Sequence, residues 1–215
     1  NRNFKNKNAT INGFLDDYAF TIQAFVALYQ VTFEEKWLNV AEDLLNYSID
    51  HFYDEKNGMF YYTSDIDPSL IARKMEVSDN VIPSSNSEMA KNLFVIGRYT
   101  YNDKLIEMSR KMLNNVKENT IKGGSYYANW SILLSWFSSE TYDVSIVGKD
   151  CHKIRREFNQ KYLPNVFISG GQKEGTYRLL KDKLIPNETT IYVCQDKACK
   201  LPVNNAKKAL EQINQ

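Results

Sequence analysis

Apolar residues recur three or four positions apart through most of the first 140 residues. Phe14, Leu15, Tyr18, Ala19, Ile22, Phe25, Val26 and Tyr29 form one stripe, which predicts an amphipathic helix over 15–30. A second stripe, Trp37, Ala41, Leu44, Leu45, Ser48 and Phe52, predicts a helix from Glu34 to His51. Few residues separate the two, so they should pair as an antiparallel hairpin. Further helices are predicted over 86–98, 103–118 and 125–138. The last is apolar almost all round (Trp130, Ile132, Leu133, Leu134, Trp136, Phe137), which predicts a place inside the molecule. Asp54–Gly58 is a turn signal leading into a short strand-like run, Met59–Thr63. Residues 1–12 read as a polar lead-in, and 64–83 as a long loop of the kind that usually carries function.

The hairpins repeat. At an offset of 68, Leu28–Leu38 lies over Ile96–Ile106, with Thr, an aromatic, an acid, Lys and two apolar residues coinciding. Leu44 and Leu45 then fall on Met112 and Leu113. Repeated helical hairpins predict a toroid or solenoid. Two and a half hairpins are present, fewer than a closed ring of six would need, so the expected fold is mainly α, one part of a larger barrel. The pattern changes near residue 140. Strands are predicted at Val144–Gly148, Asn165–Gly171 and Thr189–Cys194, with helices over 150–161 and 204–213. The expected organisation is a helical-hairpin portion, 1–140, and a small α/β tail, 141–215.

Charge and composition narrow the partners. The net charge is +1 and no Lys/Arg block reaches five, so a nucleic-acid role has no electrostatic footprint. No apolar run approaches the roughly 18 residues that span a bilayer, which argues against a membrane partner. No signal peptide is visible, and three cysteines are too few for a secreted disulfide scaffold. A reducing, cytoplasmic setting is the expectation. Aromatic residues reach 13%, which suits amphipathic or sugar-like ligands as well as ordinary contacts between helices.

The segment Glu76–Ser87 (EVSDNVIPSSNS) combines two carboxylates, a Pro and small polar residues just before an apolar-patterned helix. Glu76 and Asp79 have the chemistry of an acid/base pair, whose separation would set the mechanism. They are equally ordinary as solvated loop acids. Ser85-x-x-Glu88 reads as a capping box, leaving Ser84 and Asn86 to face a cavity together with Asp79. Asp16-Asp17-Tyr18 stands at a helix start, where carboxylates cap free N–H groups or, alternatively, open onto a ligand. Only His51 and His152 are present, neither within these motifs, which disfavours a stand-alone proton-shuttle enzyme. Cys194-x4-Cys199 is wider than the usual zinc or redox spacing. With Cys151-His152 it could form a zinc site, but free buried cysteines or a redox pair fit better, and no metal is expected. Gly170-Gly171 is a turn, and no nucleotide cofactor loop is present.

Four stretches resemble one family: Gly13–Phe20, Asn57–Thr63, Asp79–Ser87 and Tyr192–Val203. They are similar to the thioredoxin-domain-containing proteins of the YyaL type, related to the spermatogenesis-associated thioredoxin-like proteins of animals. The resemblance implies a thioredoxin-like domain followed by an (α/α)6 barrel like those of six-hairpin glycosidases and N-acylglucosamine 2-epimerases. This chain would be the C-terminal part of that barrel plus its tail, without the thioredoxin-like domain. Asp79-Asn80-Val81 and Ser85 depart from the family's glycine-containing pattern at the tight loop.

Two function classes follow. The first is a carbohydrate-active barrel, isomerase, epimerase or hydrolase. Asp17, Glu76 and Asp79 would act as acid and base, Tyr18, Ser84 and Asn86 would orient a sugar-like ligand, and no cofactor is needed. The second is a non-catalytic module for the thioredoxin-like domain, with Cys194 and Cys199 as a redox partner. Either way, the missing N-terminal half or another chain is the expected partner along the open edge of the barrel.

Overall fold

The computed structural model describes residues 3–68 and 71–213. Residues 1–2 of the predicted lead-in, 69–70 of the predicted loop and 214–215 of the tail lie outside the described residues. Seven α-helices and two small sheets are present among those described.

The first hairpin is α1 (Leu15–Thr32) and α2 (Glu35–Phe52). Strands β1 (Tyr53–Asp54) and β2 (Met59–Phe60) close a short antiparallel ribbon after it. The second hairpin is α3 (Ser85–Thr100) and α4 (Asp103–Lys122). A 3-10 turn at Gly124–Tyr127 leads into α5 (Ala128–Ser138). α1 packs on α3, and α5 lies against α3 and α4. The internal repeat has a backbone counterpart. Phe33 and Tyr101, 68 residues apart, both end their helices in the left-handed conformation with φ 56°. Gly97 allows the second hairpin to close, since a Cβ there would stand 2.8 Å from Ile106 Cγ1 and 3.0 Å from the Asn102 carbonyl.

One expectation is corrected. The interior helix is α3, not the more apolar α5. Every residue from Ser85 to Gly97 is buried, whereas α5 buries only Trp130 and Leu133 and leaves Ile132 43% exposed. Neighbours decide burial: α3 packs against α1, α2, α4 and α5, whereas α5 ends the helical array against α3 and α4. The central core runs through Leu15, Ile22, Tyr29, Leu38, Leu45, Phe60, Met89, Leu93, Ile96 and Trp130.

The tail is a four-stranded sheet in the order β4-β3-β5-β6, from β3 (Tyr142–Val147), β4 (Val166–Gly171), β5 (Thr190–Gln195) and β6 (Ala198–Cys199). β3 and β4 are parallel and joined through α6 (Cys151–Phe158); β5 runs antiparallel to β3. Alternation along the strands divides the faces. Tyr142, Val144, Ile146, Ile191 and Val193 pack with α6 and α7 (Ala206–Ile213). Val147 and Phe167 join the core of the helical array instead. A bidentate ion pair ties the layers: Arg98 Nε and Nη2 each donate to Asp143 at 2.9 Å, and Nη1 donates to Thr141 at 2.6 Å. Among the described residues, no helix is long and apolar enough to cross a membrane.

Candidate ligand-binding site

The start of α3 must satisfy its first N–H groups inside the molecule. Ser84 is the N-cap: its Oγ accepts from Ser87 N (3.1 Å) and donates to the Val77 carbonyl (2.9 Å). Asp79 Oδ1 accepts from Ser84 N (2.9 Å) and Ser87 Oγ (2.7 Å), and Oδ2 accepts from Asn129 N (2.8 Å). Glu76 Oε2 accepts from Ser85 N at 3.0 Å. Asn86 serves as a substitute strand for Phe60. Its Oδ1 accepts from Phe60 N (2.8 Å), and its Nδ2 donates to the Phe60 and Glu76 carbonyls, each at 2.9 Å.

The cap therefore lies one residue before the predicted capping box. Ser84 N is bonded to Asp79, so Glu88 has no cap to close, and it pairs with Lys91 at 2.7 Å. Ser85 Oγ is buried with no hydrogen-bond partner among the described residues.

At the start of α1, Asp17 Oδ2 accepts from Phe14 N at 2.8 Å, and Asp16 accepts from the Tyr62 hydroxyl at 3.0 Å. Tyr18 lies in the α1–α2 seam, stacked 5.3 Å from Tyr47 and tilted 5.4 Å from Phe52. Burial, with the Tyr47 hydroxyl beside it, pushes its phenol up to about 12. Leu15 N donates to the Tyr62 carbonyl at 2.9 Å, so the starts of α1 and α3 are both pinned to the segment after β2. The structure thus gathers Glu76, Asp79, Ser84 and Asn86 around one helix start, puts Asp17 and Tyr18 at another, and joins Cys194 to Cys199 in a disulfide in the sheet.

A cavity of about 410 Å³ opens between α1, α3, α5 and β4. Gln23, Gln30, Glu88, Lys91 and Asn92 supply its polar lining, and Trp136 and Phe167 its aromatic lining. Asn92 Nδ2 donates to the Ala19 carbonyl and Lys91 Nζ to Asn129 Oδ1, each at 2.8 Å, which fixes both side chains on the wall. Glu88 is 1% exposed, and burial raises its carboxyl above the ordinary value against the pull of Lys91. A buried acid beside an ammonium and side-chain amides places donors and acceptors suited to hydroxyl groups along this wall. Sequence reasoning missed Lys91 and Asn92 and gave Glu88 to a cap. The available signal was three polar residues at i, i+3 and i+4 in a helix with apolar neighbours. No group of His, Cys, Asp and Glu among the described residues could hold a metal ion. Cys151 is buried as a free thiol, and His152 stacks on Phe33.

No family model matches the chain. It is 24% identical over 210 residues to spermatogenesis-associated protein 20 of Homo sapiens, covering 90% of this chain and 26% of that protein. The Mus musculus protein of the same name is 22% identical over 215 residues, covering 94% and 27%. An uncharacterised Caenorhabditis elegans protein is 26% identical over 226 residues, covering 96% and 29%. These similarities support the resemblance to the spermatogenesis-associated family. The chain spans little more than a quarter of the length of the curated relatives it matches.

Proposed function

We propose that the α1–α3–α5 wall forms part of the ligand chamber of a helical-hairpin barrel and binds a sugar-like, hydroxyl-rich molecule. The observation that carries this reading is the buried polar stretch of α3, with Glu88, Lys91 and Asn92 on a cavity that also contains Trp136. An indole offers a flat apolar surface to a sugar ring, while the carboxyl, ammonium and amide meet its hydroxyls. In this reading Glu88 is the proton-exchanging group of any isomerase, epimerase or hydrolase chemistry. Asp17, Glu76 and Asp79, expected as acid and base, act by holding the helix starts, as do Ser84 and Asn86; Tyr18 supports the α1–α2 seam.

The chamber is completed in this proposal by further hairpins, from a longer protein that includes a thioredoxin-like domain or from another chain. Leu28 and Val31 on α1 and Ile132 on α5 are exposed apolar residues suited to such a cover.

Saturation-transfer NMR with a panel of mono- and disaccharides tests the binding. A saccharide signal that Glu88→Gln and Trp136→Ala each remove, in variants with wild-type circular dichroism, is the expected result. No signal for any saccharide, or one indifferent to both substitutions, overturns the proposal.

A further inference from the structure

The ligand-binding reading leaves the Cys194–Cys199 disulfide unused. The two cysteines are opposite each other in the β5–β6 hairpin. Asp196 and Lys197 at its turn both have positive φ, 48° and 67°, the type I′ geometry that closes a two-residue loop. Cys194 is buried, whereas Cys199 is exposed on the edge strand. Lys183, from the segment between β4 and β5, brings its Nζ to 3.8 Å from both sulfurs. Its backbone is fixed on both sides: Lys183 N donates to Glu174 at 3.2 Å, and the Lys183 carbonyl accepts from the Tyr192 hydroxyl at 3.0 Å. Tyr192 and Cys194, two apart on one strand, share the face that Lys183 covers.

We propose that Cys194–Cys199 is a thiol–disulfide exchange site that takes two electrons from an external dithiol, with Lys183 as the cation that stabilises the departing thiolate. A thiolate of the dithiol attacks Sγ of Cys199, the exposed cysteine of the pair. The Cys194–Cys199 bond breaks, its electron pair leaves on Cys194 Sγ beside Lys183, and a mixed disulfide joins Cys199 to the donor. The donor's second thiol loses its proton and attacks the donor sulfur of that bond, which releases Cys199 as a thiolate. The donor is oxidised to a disulfide, the chain is reduced to two thiols, and the donor's two protons end on the cysteines.

Exposure sets the polarity, since Cys194 is buried and Cys199 exposed, and charge assists the leaving group. A neighbouring ammonium lowers a thiol's pKa, and a thiol of lower pKa leaves faster. Asp143 lies opposite Cys194 in the register and would oppose this, but Arg98 holds it in a bidentate pair. Burial pushes Lys183 below its ordinary value, and an anion formed beside it would offset part of that cost.

The test incubates the native chain with dithiothreitol or with glutathione, quenches with acid, and counts free thiols by alkylation and mass spectrometry. Wild type is expected to be reduced by dithiothreitol without denaturant, and glutathione to be trapped on Cys199. Lys183→Met should slow reduction about tenfold and shift the equilibrium about tenfold toward the disulfide, equivalent to about 30 mV. Lys183→Arg should restore most of both. Reduction only after unfolding in urea, glutathione on Cys194, or Lys183→Met behaving as wild type would each overturn the proposal. The glutathione map needs no variant and decides the matter even where Lys183→Met does not fold.

Discussion

Burial raises the Glu88 carboxyl above its ordinary value of 4.5, and the Asp79 carboxylate adds to the rise, while the Lys91 ammonium pulls the other way without cancelling it. A raised carboxyl binds its proton more tightly in the folded chain than in the unfolded one. Its contribution is therefore fully favourable below pH 4.5 and is lost as pH climbs through the raised value. Glu88→Gln keeps the shape and removes the titration. Urea midpoints of the two proteins should converge, or reverse in favour of the Gln variant, as pH rises from the acid side to neutrality. A gap that is constant with pH would show that Glu88 carries no such shift. This residue was hard to read in the sequence, because Ser85-x-x-Glu88 satisfies the capping pattern. The true cap, Ser84, is one residue earlier, selected by Asp79 and Val77 from a loop that periodicity does not describe. Lys91 and Asn92 were hidden for a related reason: helical spacing marks apolar faces and is silent about which polar residues an adjacent helix will cover.

Helix α3 begins by taking over partners from three other segments, and the cost of disturbing it should be graded by how many are orphaned. Asn86→Ala leaves the N–H and C=O of buried Phe60 without their partner and should cost about 2–3 kcal/mol in chemical denaturation. Ser84→Ala removes a cap bond to Ser87 N and should cost about 1 kcal/mol. Equal losses for the two would argue that Asn86 does not bridge β2 to the helix. At this scale the hairpins were legible. The stripes from Phe14 to Tyr29 and from Trp37 to Phe52 correspond to α1 and α2, and the repeat at Phe33 and Tyr101 recurs in the backbone. The order of burial was not legible. α5 has the more apolar sequence, yet α3 is enclosed, because enclosure depends on how many neighbours flank a helix. The β5–β6 hairpin was missed as well; its strand β6 is two residues long, too short for alternation to register.

The helical array and the sheet meet through a charge pair that no local pattern announces, since Arg98 and Asp143 lie on an α-helix and a strand 45 residues apart. Burial pushes the Asp143 carboxyl up, and the Arg98 guanidinium opposes that rise. Both side chains are at most 10% exposed, so removing one strands the other in a poorly solvated place. Arg98→Ala should cost about 3–5 kcal/mol. The guanidinium also lies over the rings of Phe94 and Phe167, at 5.6 and 5.0 Å, so an apolar side chain of similar length can occupy the same space. The double variant Arg98→Met with Asp143→Leu removes both charges together and should recover most of that loss, within about 1–2 kcal/mol of wild type. A double-mutant cycle read by urea denaturation, with far-ultraviolet circular dichroism and tryptophan fluorescence, separates two meanings of the pair. A large coupling energy with coincident transitions makes it the clamp that lets sheet and helices unfold as one unit. Additive losses, or an Arg98→Ala cost below about 1 kcal/mol, would instead leave that role to the apolar contact of Val147 and Phe167 with the helical core.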